Sequence, residues 1–263
     1  MGDTLDIEDT ELEGKELRTA LRHAPIRTVA PGSEWNETEE LILRRRSVRK
    51  FKGRQVPEHV IRRVLEVARY APSQGNCQPW SFIVVRDRDL IAQMEGYCVA
   101  VCKAMTAKID YTHYPKGSWK RFTTELKTRF MNRRAPNALH PVPMTAIKSI
   151  AAGRFRVFHR APTVILLLMD KRGVGSPEID IGVVGQNIVI AAQSLGLGTC
   201  WIGFSKLMNS NKALVEKLGA APPFEIVEAI AVGYPIGDPT LNQISRQTHE
   251  IVWWEGGNKQ IFY

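Results

Sequence analysis

Ser176-Pro-Glu-Ile-Asp-Ile-Gly-Val-Val-Gly-Gln-Asn-Ile-Val-Ile-Ala-Ala-Gln-Ser-Leu195, followed by Gly196-Leu-Gly-Thr-Cys-Trp-Ile-Gly203, sets the frame. Pro177 after Ser176, with Glu178 and Asp180 in the first turn, opens a helix, and Gly196 stops it. Its interior is apolar almost all round, from Ile181 through Val184 and Ile188 to Ala192. Such a helix is buried on most sides, in a domain centre or a subunit interface. Thr199-Cys-Trp-Ile202 reads as a short strand that follows at once.

Working outward, Pro162 introduces a central strand, Thr163 to Met169, and Phe224 to Val232 and Ile251 to Trp254 read as further strands. On the N-terminal side, Asn36 or Thr38 caps a helix that runs into Arg44-Arg-Arg-Ser-Val-Arg-Lys-Phe51. Pro57-Glu58 opens a second helix, which ends at Ala71-Pro72, and Ser81 to Val85 is a buried strand. Asp87 to Met105, Met144 to Phe158 and Asn211 to Leu218 complete the helices, while 106–143 shows no clean period. Interleaved strands and helices indicate an α+β or three-layer α/β/α domain with a mixed sheet.

The 263 residues carry a net charge of +9, unevenly placed. Residues 103–160 hold 13 Lys and Arg against only Asp110 and Glu125, a local balance of +11, whereas 1–34 stand at −4. A positive field over a cleft attracts anions: a phosphorylated cofactor, an acidic substrate or nucleic acid. The longest apolar run, Val164 to Met169, is too short to span a bilayer, and the acidic N-terminus lacks a basic-then-apolar signal pattern. These features give the expectation of a cytoplasmic protein with no membrane partner. Cys77, Cys98, Cys102 and Cys200 form no zinc-type spacing, so no metal is expected, and Cys98 and Cys102 read as small core residues on one helix face.

Two stretches carry the chemistry. Five cations and a hydroxyl lie within Arg44 to Lys50, and guanidinium forks bind phosphate oxygens bidentately. The amide-rich turn Ala71-Pro-Ser-Gln-Gly-Asn-Cys-Gln-Pro-Trp80 can read the edge of a flat heterocycle. Together they describe a nucleotide-like ligand. Gly203 adds a place where backbone can approach a ring with no Cβ between.

In this order the pieces resemble the nitroreductase family. The matches are Arg45 to Phe51; Ala71-Pro72-Ser73 with Asn76 and Gln78-Pro79-Trp80; Asp180 through Ala192 to Gly203; and Val232-Gly233-Tyr234-Pro235 with Arg246. The resemblance implies an α+β, three-layer fold, its mixed and mainly antiparallel sheet flanked by helices, in an intertwined homodimer with FMN at the subunit interface. By the same resemblance Arg45, Arg46, Ser47 and Arg49 hold the ribityl phosphate and pyrimidine edge, and Arg246 closes on the phosphate. Ser73, Gln74 and Asn76 approach the flavin of the second subunit, and Ile202 and Gly203 place N–H groups near flavin N5. NADH or NADPH is the implied donor, and a planar nitroaromatic or quinone, anionic ones included, the acceptor. The flavin carries the chemistry, so no catalytic side chain is expected.

The reading divides the chain into an acidic extension, 1–34, and one FMN domain, 35–263, with a basic insertion at about 106–143. Tyr111, Trp119 and Phe122 in that insertion are candidates for a lid over the acceptor. Position 74 departs from the family in carrying Gln, and no acid–Tyr–Lys set of the iodotyrosine-dehalogenating branch aligns among Asp110, Tyr111, Tyr114 and Lys116. Flavin-dependent dehydrogenation, reductive dehalogenation and oxygen-dependent chemistry remain open on the same frame. A basic nucleic-acid-binding protein is the remote alternative.

Overall fold

The structure is a computed structural model that describes residues 35–134, 141–241 and 250–262. The chain divides into two compact units, Leu41–Pro239 and a smaller one of Met1–Glu40 with Thr240–Tyr263.

In the larger unit, β1 (Trp80–Val85), β2 (Thr163–Asp170), β3 (Gly198–Ile202) and β4 (Phe224–Gly233) form one sheet in the order β1-β2-β4-β3. All three pairings are antiparallel. The expected mixed character is confined to a parallel bridge between Ser47 and Thr199 on the edge strand β3. β2 is apolar from Val164 to Met169 because it lies inside the sheet with both faces covered.

Each face has its own core. One packs Val164, Leu166 and Leu168 under Met94, Cys98 and Cys102 of α3 (Arg88–Ile109) and Ile147 and Ile150 of α5 (Pro141–Ala151). The other packs Ile165, Leu167 and Met169 under Ile61 and Val64 of α2 (Glu58–Ala68) and Val184 and Ile188 of α6 (Pro177–Ser194). This is the three-layer α+β arrangement. Burial pushes the Cys98 thiol up to about 12, which suits a core residue rather than a reactive one.

A bulge shapes β4: Leu167 faces Glu228 while its neighbour Leu168 faces Ile226, so Val227 is the extra residue. The insertion resets the alternation, sending Ile226 and Ala229 to one core and Val227 and Ile230 to the other.

The segment 106–143, which shows no clean period in the sequence, contains a sixteen-residue helix, α4 (Trp119–Arg134). The helix expected over Met144 to Phe158 instead runs Pro141–Ala151, because Gly153 takes a φ of +70° just beyond its end. α7 (Lys212–Leu218) is capped by Asn211, whose Oδ1 accepts from Leu214 N at 3.1 Å. α1 (Glu37–Arg44) starts with a reciprocal cap in which Asn36 Oδ1 accepts from Glu39 N and Glu39 Oε2 accepts from Asn36 N.

In the smaller unit β5 (Ile251–Glu255) and β6 (Asn258–Phe262) form a hairpin. Gly256 and Gly257 turn it with φ of +57° and +80°, a conformation closed to most other residues. Every residue of β5 is exposed, Trp253 and Trp254 included.

Candidate cofactor site

The arginine cluster takes its position from the end of α1 and from β3. Arg46 Nη1 donates to the carbonyls of Leu43 and Arg45 at 2.7 and 2.8 Å, so this guanidinium closes the helix C-terminus. The chain then turns along β3: Val48 N donates to Thr199 O at 2.8 Å beside the Ser47–Thr199 bridge. Gly198 makes the approach possible, since a Cβ there would sit 2.6 Å from Val48 Cγ2. Lys52 N to Tyr234 O at 2.8 Å and Ile236 N to Lys50 O at 3.1 Å carry the segment on past the end of β4.

Arg45, Arg46 and Ser47 are half-buried here and Arg49 is exposed. The cluster is electrostatically coherent. Burial pushes the Cys200 thiol up, and the positive charges of Arg49 and Arg45 oppose the shift. Burial first, then Arg49, pulls the His159 imidazole down to about 4.

His159 is a residue the motifs did not announce. It and Arg160 both adopt left-handed backbone, φ +53° and +56°, a costly pair for non-glycine residues. The segment is held by Glu95, whose Oε1 accepts from Val157 N at 2.8 Å, and by the edge-to-face contact of Phe155 with the His159 ring.

At the far end of β3 lie Ile202, buried, and Gly203, where the strand passes into a 3-10 turn. Thr199 and Gly203 are four residues apart, about 13 Å of extended chain. A cationic grip and an open backbone position therefore share one edge strand, at a separation that suits a phosphate tail and a ring. Beside Gly203 stands a second unannounced residue. Glu228 Oε2 is 3.4 Å from where a Gly203 Cβ would be, and burial pushes its carboxyl up despite the opposing charge of Lys206.

The amide-rich turn lies elsewhere. It leads into β1, the opposite edge of the sheet. Trp80, its last residue, pairs with Met169, whereas Thr199 lies level with Val232 and Thr163 at the other end. Three strand spacings and six residues of strand separate the two places, about 24 Å on the diagonal. Within one chain the grip and the turn stand at opposite corners of the sheet.

The turn is strongly bent, with φ of +59° at Gly75, +55° at Asn76 and +48° at Gln78. Ser73 Oγ accepts from Gln78 N at 3.0 Å, and Gln78 Nε2 donates to Asn76 Oδ1 at 3.1 Å. Gln74 lies over Gly175, where a Cβ would come 1.6 Å from its Oε1. Asp180, in the first turn of α6, is buried, and its Oδ2 has no hydrogen-bond partner among the described residues.

Of the lid candidates, Tyr111 is half-buried with the Arg121 guanidinium 5.6 Å over its ring. Trp119 and Phe122 are exposed on α4, with ring centroids 5.6 Å apart. Arg246 lies outside the described residues.

Comparison with known proteins agrees with this architecture. The sequence pattern of the nitroreductase family matches residues 42–234, from α1 through the end of β4. The chain belongs to the nitroreductase family. Its relatives include a chloronitrobenzene nitroreductase from Comamonas testosteroni, 27% identical over 217 residues, 81% of this chain and 93% of that protein. They also include iodotyrosine deiodinase 1 of Mus musculus, 26% identical over 257 residues, 92% of this chain and 79% of that one. Among solved structures, the FMN-dependent nitroreductase NfnB from Mycobacterium smegmatis in complex with NADPH shares the fold. Its TM-score is 0.55 at 22% identity, with 80% of this chain and 93% of that one covered.

Proposed function

We propose that the protein is an FMN-dependent NAD(P)H oxidoreductase that reduces a planar, electron-poor acceptor, a nitroaromatic or a quinone. The observation that carries this reading is the alignment of Arg45, Ser47 and Arg49 along β3 by the Ser47–Thr199 bridge, with Gly203 at the far end of that strand. Arg45 and Arg49 supply cations for a phosphate dianion, and Arg46 fixes the turn that presents them. Gly203 leaves its backbone open to a flat ring. Bound there, FMN would accept hydride from the nicotinamide and pass it to the acceptor. The FMN-dependent relative with NADPH bound and the chloronitrobenzene-reducing relative support donor and acceptor classes alike.

The opposite placement of grip and turn supports a homodimer in which Ser73, Gln74 and Asn76 serve the flavin of the second subunit. The fully exposed strand β5, Trp253 and Trp254 included, is an apolar surface that such an assembly would cover.

The dehalogenating reading has the deiodinase relative in its favour, but Asp110 is committed elsewhere. It is buried against Lys148, Nζ to Oδ2 2.8 Å, and does not present a carboxylate for an amino-acid substrate.

The absorption spectrum of the purified protein, followed by anaerobic addition of NADH and of NADPH, tests the proposal. A flavin spectrum bleached by at least one nicotinamide is expected. Failure of both to bleach it removes the reductase reading.

A further inference from the structure

α4 packs the wrong way round for a helix of a globular protein. Trp119, Phe122, Leu126 and Phe130 recur at intervals of three, four and four, which sets them on one stripe. They are 75, 57, 58 and 57% exposed. The opposite side, which meets the body of the unit, is polar among the described side chains. Thr128 Oγ1 donates to Ile109 O at 2.9 Å, and Arg121 Nη1 donates to Tyr114 O at 3.2 Å. An amphipathic helix ordinarily buries its apolar stripe, and a contiguous exposed one marks a surface that meets something.

Three features describe what it meets. The ridge from position 119 to 130 is about 16 Å long, several times what one aromatic acceptor needs. The helix carries six Lys and Arg against Glu125 alone, a balance of +5, with Lys120 and Lys127 exposed beside the stripe. That charge makes two copies of the helix poor partners for each other, because the same cations would face across the contact. Sixteen residues with so many cations also cannot cross a bilayer. An apolar ridge flanked by cations fits an anionic lipid surface, where the apolar side chains sink below the head groups while Lys and Arg stems reach the phosphates.

We propose that α4 is an interfacial helix that lays the Trp119–Phe130 ridge on a bilayer containing anionic lipid. The proposal stands on α4 alone and does not depend on the flavin reading. Where both hold, the reductase works beside acceptors dissolved in the membrane, which favours the lipophilic end of the quinone class.

Flotation of the full-length protein with phosphatidylglycerol–phosphatidylcholine vesicles, against phosphatidylcholine alone, tests it. Binding to the mixed vesicles, weak on the neutral ones and falling with salt, is expected. Leu126→Glu and the pair Lys120→Glu/Lys127→Glu should each weaken binding by at least about tenfold. Both variants alter exposed side chains, so circular dichroism and gel filtration should match the parent. Absence of binding to the mixed vesicles overturns the proposal, as does binding that both variants retain. Dissociation of an oligomer by Leu126→Glu would assign the ridge to a subunit contact instead. A changed KM for a soluble acceptor without vesicles would assign it to a lid.

Discussion

Single residues set the clearances on which the candidate site depends. Gly185 in α6 is the floor for Trp201 of β3, since a Cβ there would sit 2.1 Å from Trp201 Cη2. Gly185→Ala forces that ring or the helix to move, at a cost of about 1–3 kcal/mol. Thermal unfolding should show a lower Tm with shifted tryptophan fluorescence, and an unchanged Tm would mean the ring has room to spare. Glu228 answers a different question, that of charge. Its folded pKa lies above the ordinary carboxylate value because of burial, so the ionised form is disfavoured in the native state. The parent should therefore lose stability as pH rises through the window between the ordinary and the raised value. Glu228→Gln should melt higher than the parent above that window and equally below it. Equal melting at every pH would show the carboxylate to be fully solvated. Neither His159 nor Glu228 was legible in the sequence. The strain at His159 is a matter of φ, and Glu228 takes its place from the Val227 bulge, which alternation within β4 does not reveal. The arginines and Gly203 were legible because their chemistry follows from residue type alone.

Elements are legible wherever burial enforces a period. β2, α2 and α6 declare themselves through apolar spacing, Pro and Gly boundaries and acidic first turns. α4 did not, because its inward face is polar and its apolar positions lie among cations, so the usual rule that the stripe marks the core points outward. β6 is hidden in the sequence for a related reason: Asn258-Lys-Gln260 is polar, and pairing with β5 through the Gly256-Gly257 turn makes it a strand. At this scale the tie between α3 and α5 is the testable one. Burial alone would raise the Asp110 carboxyl, but hydrogen bonds from Lys148 and Thr112 and the Lys148 charge outweigh it and bring the group down to about 2. A depressed folded pKa means the contribution is complete above the unfolded value and is lost as pH falls toward the folded one. Lys148→Met should cost about 1–2 kcal/mol at neutral pH, and the difference from the parent should narrow as pH falls from about 4 toward about 2. A gap that stayed constant down to pH 2 would mean that Lys148 acts by packing alone.

At the scale of the whole molecule, the decisive relation is between two sheet edges. Pairing order is not written in any one strand, so the sequence offered both motifs without their positions. The order β1-β2-β4-β3 puts the amide turn and the arginine grip on opposite edges and at opposite ends. In the proposed shared site they come from different subunits, and subunit mixing can show it. Let one variant carry Arg45→Ala and Arg49→Ala, and another carry Ser73→Ala and Asn76→Ala. Each alone should hold little FMN, as each homodimer has two defective sites. Unfolded together and refolded at equal amounts, half of the dimers are mixed. In a mixed dimer one site joins the intact grip of one subunit to the intact turn of the other. About a quarter of all sites should then recover flavin, by the statistics of random pairing in a two-fold dimer. A site built within one chain predicts no recovery at any mixing ratio, because every site would keep either a broken grip or a broken turn. The flavin absorbance per subunit of the refolded mixture thus separates a shared site from a self-contained one, and does so without reference to which acceptor the enzyme reduces.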